Sequence, residues 1–227
     1  MEARVEQDEW VVGELSAPTL GQVLRSVKSR GVFVLHNAIP TSVCDSLRLP
    51  LVADAQRVLE SGFWPPQPER GAMGNGHIHL GPPRYGCPAA AQAPRLACDV
   101  RVPRGRCAPW VHPDVVGNPI IEQVVAAALG KGAVLSFYNG HCNLSGSGTQ
   151  PLHMESPWAW QTEADAAEAG KAWPPPATAV SVCIAVEDID ESNGADEIWP
   201  GSHIDVSAAT AEPGASATRA HVQSIHF

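Results

Sequence analysis

His153-Met154-Glu155 is the tripeptide of this sequence with the most chemical content. On a β-strand, residues two apart lie on one face, so the imidazole and the carboxylate would be presented to a single space. One neutral nitrogen and one anionic oxygen are two of the three donors in a 2-His-1-carboxylate set. That set leaves open positions on iron(II) for a co-substrate and dioxygen. Spacing alone is a weak signal: among nine histidines and 24 acidic residues a chance match is expected. A His–Glu pair on a sheet surface has the same signature. His77-Ile78-His79 would likewise put two imidazoles on one strand face, as a cupin or zinc site does, or else marks a surface strand. His141 and Cys142 flank a turn from which either could reach a metal. Tyr138, Asn143 and Gln150 lie on or beside the strand pair leading into His153. They read as pocket-lining residues for a co-substrate or substrate, or as polar residues of a β-turn. Trp158 and Trp160 follow, either as walls of a substrate pocket or as loop anchors packed against Trp173.

Helices come first among the elements that must position these groups. Leu20, Val23, Leu24 and Val27 recur at helical spacing, which predicts a helix over Thr19–Arg30, stopped by Gly31. Val32–Leu35 is a short, fully apolar strand. A second helix is expected from near Thr41, with Pro50 bending or ending its first half, and Ala53–Ser61 reads as helical again. Phe63–Trp110 is punctuated by proline and glycine and predicts loops with a few extended pieces. Asn118 as cap and Pro119 at the first helical position open a third helix, whose buried face is Ile120, Ile121, Val124, Val125, Ala128 and Leu129. After Gly132 the pattern is that of strands: Ala133–Asn139, Gln150–Glu155, Thr178–Val186 and Ala195–Trp199, with Asn193-Gly194 as a hairpin signal. Helices followed by short strands and tight turns imply an α+β fold with a sandwich or barrel at the back.

Two segments carry a resemblance to a known family. Gly148-Thr149-Gln150-Pro151-Leu152-His153-Met154-Glu155-Ser156-Pro157-Trp158 resembles the metal-binding strand of the phytanoyl-CoA dioxygenase family, usually Q-x-L-H-x-D. Some 40 residues later, Glu191-Ser192-Asn193-Gly194-Ala195 and Trp199-Pro200-Gly201-Ser202-His203 resemble that family's N-G-A/P hairpin and P-G-S-H segment. Gly31–Pro40 is similar to its entry strand. The resemblance implies a double-stranded β-helix (a cupin-like jelly roll) with N-terminal helices packed on it. It implies iron(II) held by His153 and Glu155, 2-oxoglutarate as co-substrate, and no catalytic residues beyond the metal ligands; Tyr138, Asn143 and Gln150, by their position, are the candidates to line that pocket. Oxidative decarboxylation of 2-oxoglutarate to succinate would be coupled to hydroxylation of a small organic or lipid-like substrate by dioxygen. Glu155 stands where aspartate is usual, with the same charge and one more methylene. The family's distal histidine and following basic residue come several dozen residues after P-G-S-H, whereas this sequence ends 24 residues after His203. His203 itself reads as a loop histidine bonded to backbone, so His221 or His226 would have to serve as third ligand. From Ala133 onward about five or six strands can be placed, against the usual eight of a closed core. The expectation is a C-terminally shortened relative with an incomplete core.

Bulk properties bound the remaining classes. At 227 residues, 44% hydrophobic and 17% charged, the chain suits one soluble domain, with a helical and loop-rich part over 1–131 and a strand-rich part over 132–227. A net charge of -9 disfavours nucleic acid and anionic membrane as partners. No stretch approaches a membrane span. Met1–Trp10 carries four acidic residues in place of a signal sequence's basic start and apolar run, so a cytoplasmic location is expected. The six cysteines form no CxxC pair and read as reduced thiols; Cys98 and Cys107 lack the tight spacing of a structural zinc site. Two alternatives to an oxygenase stand beside it: an inactive relative that keeps only the scaffold, and a cupin-like metal- or ligand-binding protein using His77, His79 and His153.

Overall fold

A run of four apolar residues, Val32 to Leu35, has no side to offer to water and must be covered on both faces. The computed structural model describes residues 2–60, 77–80, 111–136, 138, 140–143, 162–173, 176–190, 192–193, 195–204, 218–219 and 224–226. At 54–55, 57–59, 77–80, 140–143, 218–219 and 224–226 it describes the backbone. The elements are β1 (Glu2–Arg4), α1 (Gln7–Val12), α2 (Ala17–Arg30), β2 (Val32–His36), α3 (Thr41–Glu60), β3 (His77–Leu80), α4 (Pro113–Val116), α5 (Pro119–Leu129), β4 (Gly140–Asn143), α6 (Glu163–Glu168), β5 (Ser181–Val182), β6 (Glu197–Ile198), β7 (Thr218–Arg219) and β8 (Ser224–His226). Among the described residues no helix is long and apolar enough to cross a membrane.

The apolar run becomes β2, with all four residues buried, inside a four-stranded sheet of order β1-β2-β8-β5. β1 runs parallel to β2, while β8 is antiparallel to both β2 and β5. Phe33 and Leu35 form a core cluster with Val23 and Val27 of α2 and Ile120 and Val124 of α5, and Val180 and Val182 pack against it. A second cluster gathers Ile39, Val43, Cys44, Leu47 and Val115, with Ile121, Tyr138, Ile184 and Val186 at its border. α5 thus contributes to both clusters, through Ile120 and Val124 on one side and Ile121 on the other.

Local chemistry explains the helix ends. α2 starts two residues earlier than the apolar spacing predicts, because Ser16 accepts a hydrogen bond from the Thr19 amide and Pro18 stands in the first turn. It ends at Gly31 in the left-handed region, φ 75°. Of the two outcomes expected at Pro50, a bend or an end, the end does not occur: Pro50 lies inside the continuous helix α3. α5 opens as the sequence predicts, with Asn118 accepting from the Ile121 amide. Buried Asn118 also donates to the carbonyls of Ala38, at 2.9 Å, and Asp114, at 3.0 Å, which ties the start of α5 to the loop after β2. Gln123 of α5 clamps the link between α1 and α2, accepting from the Leu15 amide at 2.8 Å.

The strand-rich half departs from its predicted boundaries. Residues 133–136 form no strand, and Val134 and Leu135 stand exposed; among the described residues of this segment, pairing is seen at Gly140–Asn143. The Asn193 turn is present, closed by hydrogen bonds from the Asn193 and Ala195 amides to the Asp190 carbonyl. It does not lead to a hairpin among the described residues, since β6 pairs with β7. The Asn193 side chain accepts from the Asp190 amide and donates to the Asp188 carbonyl, each at 2.7 Å, which folds the segment back on itself. The described strands make one four-stranded and two two-stranded sheets.

Candidate metal-binding residues

His153, Glu155 and Gln150, with Trp158 and Trp160, lie outside the described residues. The segments that flank them in sequence are described, and they bring some of the expected residues to definite positions. Tyr138 is half-buried at the border of the second core cluster, and burial raises its phenol above the ordinary value. Asn143 is the last residue of β4 and pairs in register with His77. β3 and β4 form an antiparallel ladder in which Ile78 opposes Cys142, His79 opposes His141 and Leu80 opposes Gly140. α3 runs alongside both strands. His226, the one third-ligand candidate in a described strand, stands in β8 opposite Val32 of β2 and Ser181 of β5. His221 lies outside the described residues.

The P-G-S-H segment is described at side-chain level. Trp199 to Ile204 folds into a tight turn with Gly201 at φ 93°. The turn docks on the C-terminal end of α2: the Gly201 amide donates to the Arg30 carbonyl at 2.9 Å, and His203 Nε2 lies 3.1 Å from the Lys28 carbonyl. A carbonyl can only accept, so Nε2 carries the proton and Nδ1 is the bare nitrogen. Nδ1 is buried with no hydrogen-bond partner among the described residues. The ring lies over Gly31, where a β-carbon would meet His203 Cγ and Nδ1 at 2.6 Å. Burial lowers the imidazole pKa below the ordinary histidine value, and the bond to Lys28 opposes that only in part. His203 is therefore a backbone-bonding loop histidine that holds a turn against a helix end.

Other chemistry-bearing side chains are accounted for locally. Cys44 and Cys183 carry thiols and not disulfides, and burial, helped by the charge of Asp45, raises the Cys44 thiol. Cys87, Cys98 and Cys107 lie outside the described residues. His36 pairs with Glu2 at 2.9 Å on the surface, which holds the Glu2 carboxyl below its usual range. His112 caps α4 by accepting from the Asp114 amide. Among the residues whose side chains are described, no three His, Cys, Asp or Glu converge as a metal-binding group.

The opposition of His79 and His141 is the feature that reading the sequence missed. Both residues are visible in the sequence, but only strand pairing shows that they stand opposite each other in the ladder. No protein-family model matches this chain.

Proposed function

We propose that this protein is a non-haem iron(II)- and 2-oxoglutarate-dependent oxygenase that hydroxylates a small organic or lipid-like substrate on a double-stranded β-helix core. The observation that carries the reading is the ordered pair of segments, Gln150-Pro151-Leu152-His153-Met154-Glu155 and then Asn193-Gly194-Ala195 with Pro200-Gly201-Ser202-His203. The donor types suit the ion: one neutral imidazole and one carboxylate two residues apart, which would share a face if the segment is extended and would leave positions open for a bidentate co-substrate. His153 and Glu155 would hold the iron. Bound there, it would couple decarboxylation of 2-oxoglutarate to insertion of oxygen into a substrate C–H bond. The protein's own share is to fix the two donors, to orient 2-oxoglutarate through Tyr138, Asn143 and Gln150, and to keep water from the reacting carbon. An iron(II) centre that uses dioxygen fits a reducing compartment, and we assign the protein to the cytoplasm.

The deciding experiment is an anaerobic titration of the full chain with iron(II) and 2-oxoglutarate, read as the visible charge-transfer band of the chelated complex. The band is expected in the native chain and absent in His153→Ala and Glu155→Ala. A folded native chain that gives no band refutes the oxygenase and leaves a scaffold without the activity.

A further inference from the structure

We propose a second metal site, separate from His153 and Glu155: the register of the β3–β4 ladder sets His77, His79 and His141 on one face, a juxtaposition suited to a divalent transition-metal ion, zinc in the first instance. The placement follows from register. His79 opposes His141 and His77 opposes Asn143 in an antiparallel pair. Directly opposed residues share a face, as do residues two apart on one strand. His77, His79, His141 and Asn143 therefore fall on one face, while Ile78, Leu80, Gly140 and Cys142 fall on the other. The ladder is sorted by chemistry as well as by side: three nitrogen donors and an amide against two aliphatic residues, a glycine and a cysteine.

That geometry suits chelation. Opposed residues in an antiparallel pair have β-carbons about 4.5–5.5 Å apart, and diagonal neighbours about 7–8 Å. Residues set at such spacings on one face are near enough in the ladder to serve a single ion. The donor set selects the ion class. Three neutral imidazoles with no carboxylate suit zinc, nickel or copper and offer nothing to calcium or magnesium, which take oxygen ligands. Three protein nitrogens leave a fourth position for water or for a small anion. The placement also has a structural consequence, because an isolated two-stranded ladder is only marginally stable by itself. An ion that bridges β3 and β4 would lock their register.

The site does not rest on the oxygenase reading, and the test is built to separate the two. In a His153→Ala background, zinc binding to the full chain is followed by calorimetry, with circular dichroism as the check on folding. One zinc per chain is expected. Adding His79→Ala or His141→Ala should weaken it by more than the roughly 10–100-fold that loss of an outer-shell partner costs a metal site. Ile78→Ala, on the same strand but the other face, should leave the affinity unchanged. Cobalt(II) gives an independent readout: a tetrahedral visible spectrum with the His153→Ala chain, lost in His79→Ala. If an alanine variant loses its circular dichroism, glutamine at the same position makes the same comparison. Zinc affinity unchanged by both His79 and His141 replacements overturns the site. So does a folded His153→Ala chain that takes up no zinc, since the ion would then belong to the His153 centre.

Discussion

Asn118 shows how far one residue can be read from its neighbours. Its position before Pro119 and an apolar run identifies a helix cap, and it caps α5 as read. Its second task was not legible. The side chain is 1% exposed and its amide donates to Ala38, 80 positions away in sequence. That bond depends on the loop after β2 folding over the start of α5, which no local pattern encodes. Asn118→Ala is expected to cost about 2–3 kcal/mol, combining loss of a cap with buried carbonyls left unpaired. Urea unfolding should show a lower midpoint with an unchanged slope; a change within about 0.5 kcal/mol, the range of ordinary surface substitutions, would refute the tie. His153 and Glu155 are the opposite case. The proposal for them rests on residue type, spacing and a resemblance carried by sequence alone, and they lie outside the described residues.

At the scale of elements, helices were the more legible because their signals are local. The apolar spacing of α2, the glycine that stops it and the face of α5 are read within one window of sequence. Strand pairing is not local. The Asn193-Gly194 signal correctly marks a turn, yet β6 takes its partner from 218–219. His79 and His141 could not be joined without knowing that β3 pairs with β4. The junction of α2 and the 199–204 turn has a measurable consequence. Gly31 is left-handed, with the His203 ring where a β-carbon would go. Gly31→Ala should cost about 1–2 kcal/mol for the backbone conformation alone, and more because the ring must move. His203→Ala in the same chain should recover the second part and leave the first. A double-mutant cycle on unfolding free energies tests this: a coupling of about 0.5 kcal/mol or more confirms contact, and simple additivity excludes it.

For the molecule as a whole, the division at residue 131 is crossed by the main sheet, which takes β1 and β2 from one side and β5 and β8 from the other. Its stability should therefore respond to pH as one unit, through titratable groups on both sides of that boundary. Glu9 is 7% exposed. Burial would raise its carboxyl, but hydrogen bonds from the Ser16 and Glu6 amides and from the Ser16 and Thr19 hydroxyls outweigh this and lower it below the ordinary value. A depressed carboxyl stabilises the fold above its unfolded pKa, and that contribution disappears as pH falls through the folded one. His203 acts in the same direction by a different route. Burial lowers its pKa, so the unfolded chain takes up a proton before the folded one does, and stability falls as pH drops below about 6.5. Protonation would also place a second N–H on Nδ1, which has no acceptor among the described residues. Urea midpoints measured from pH 8 to pH 3 should thus decline in two stages. The upper stage, around and below the ordinary histidine value, should be flattened by His203→Gln, which removes the titration. The lower stage, in the carboxylate range, should be reduced by Glu9→Gln, whose midpoint at neutral pH should already lie below that of the native chain. An upper stage that survives His203→Gln would assign it to another group and remove the α2 junction as a site of acid sensitivity.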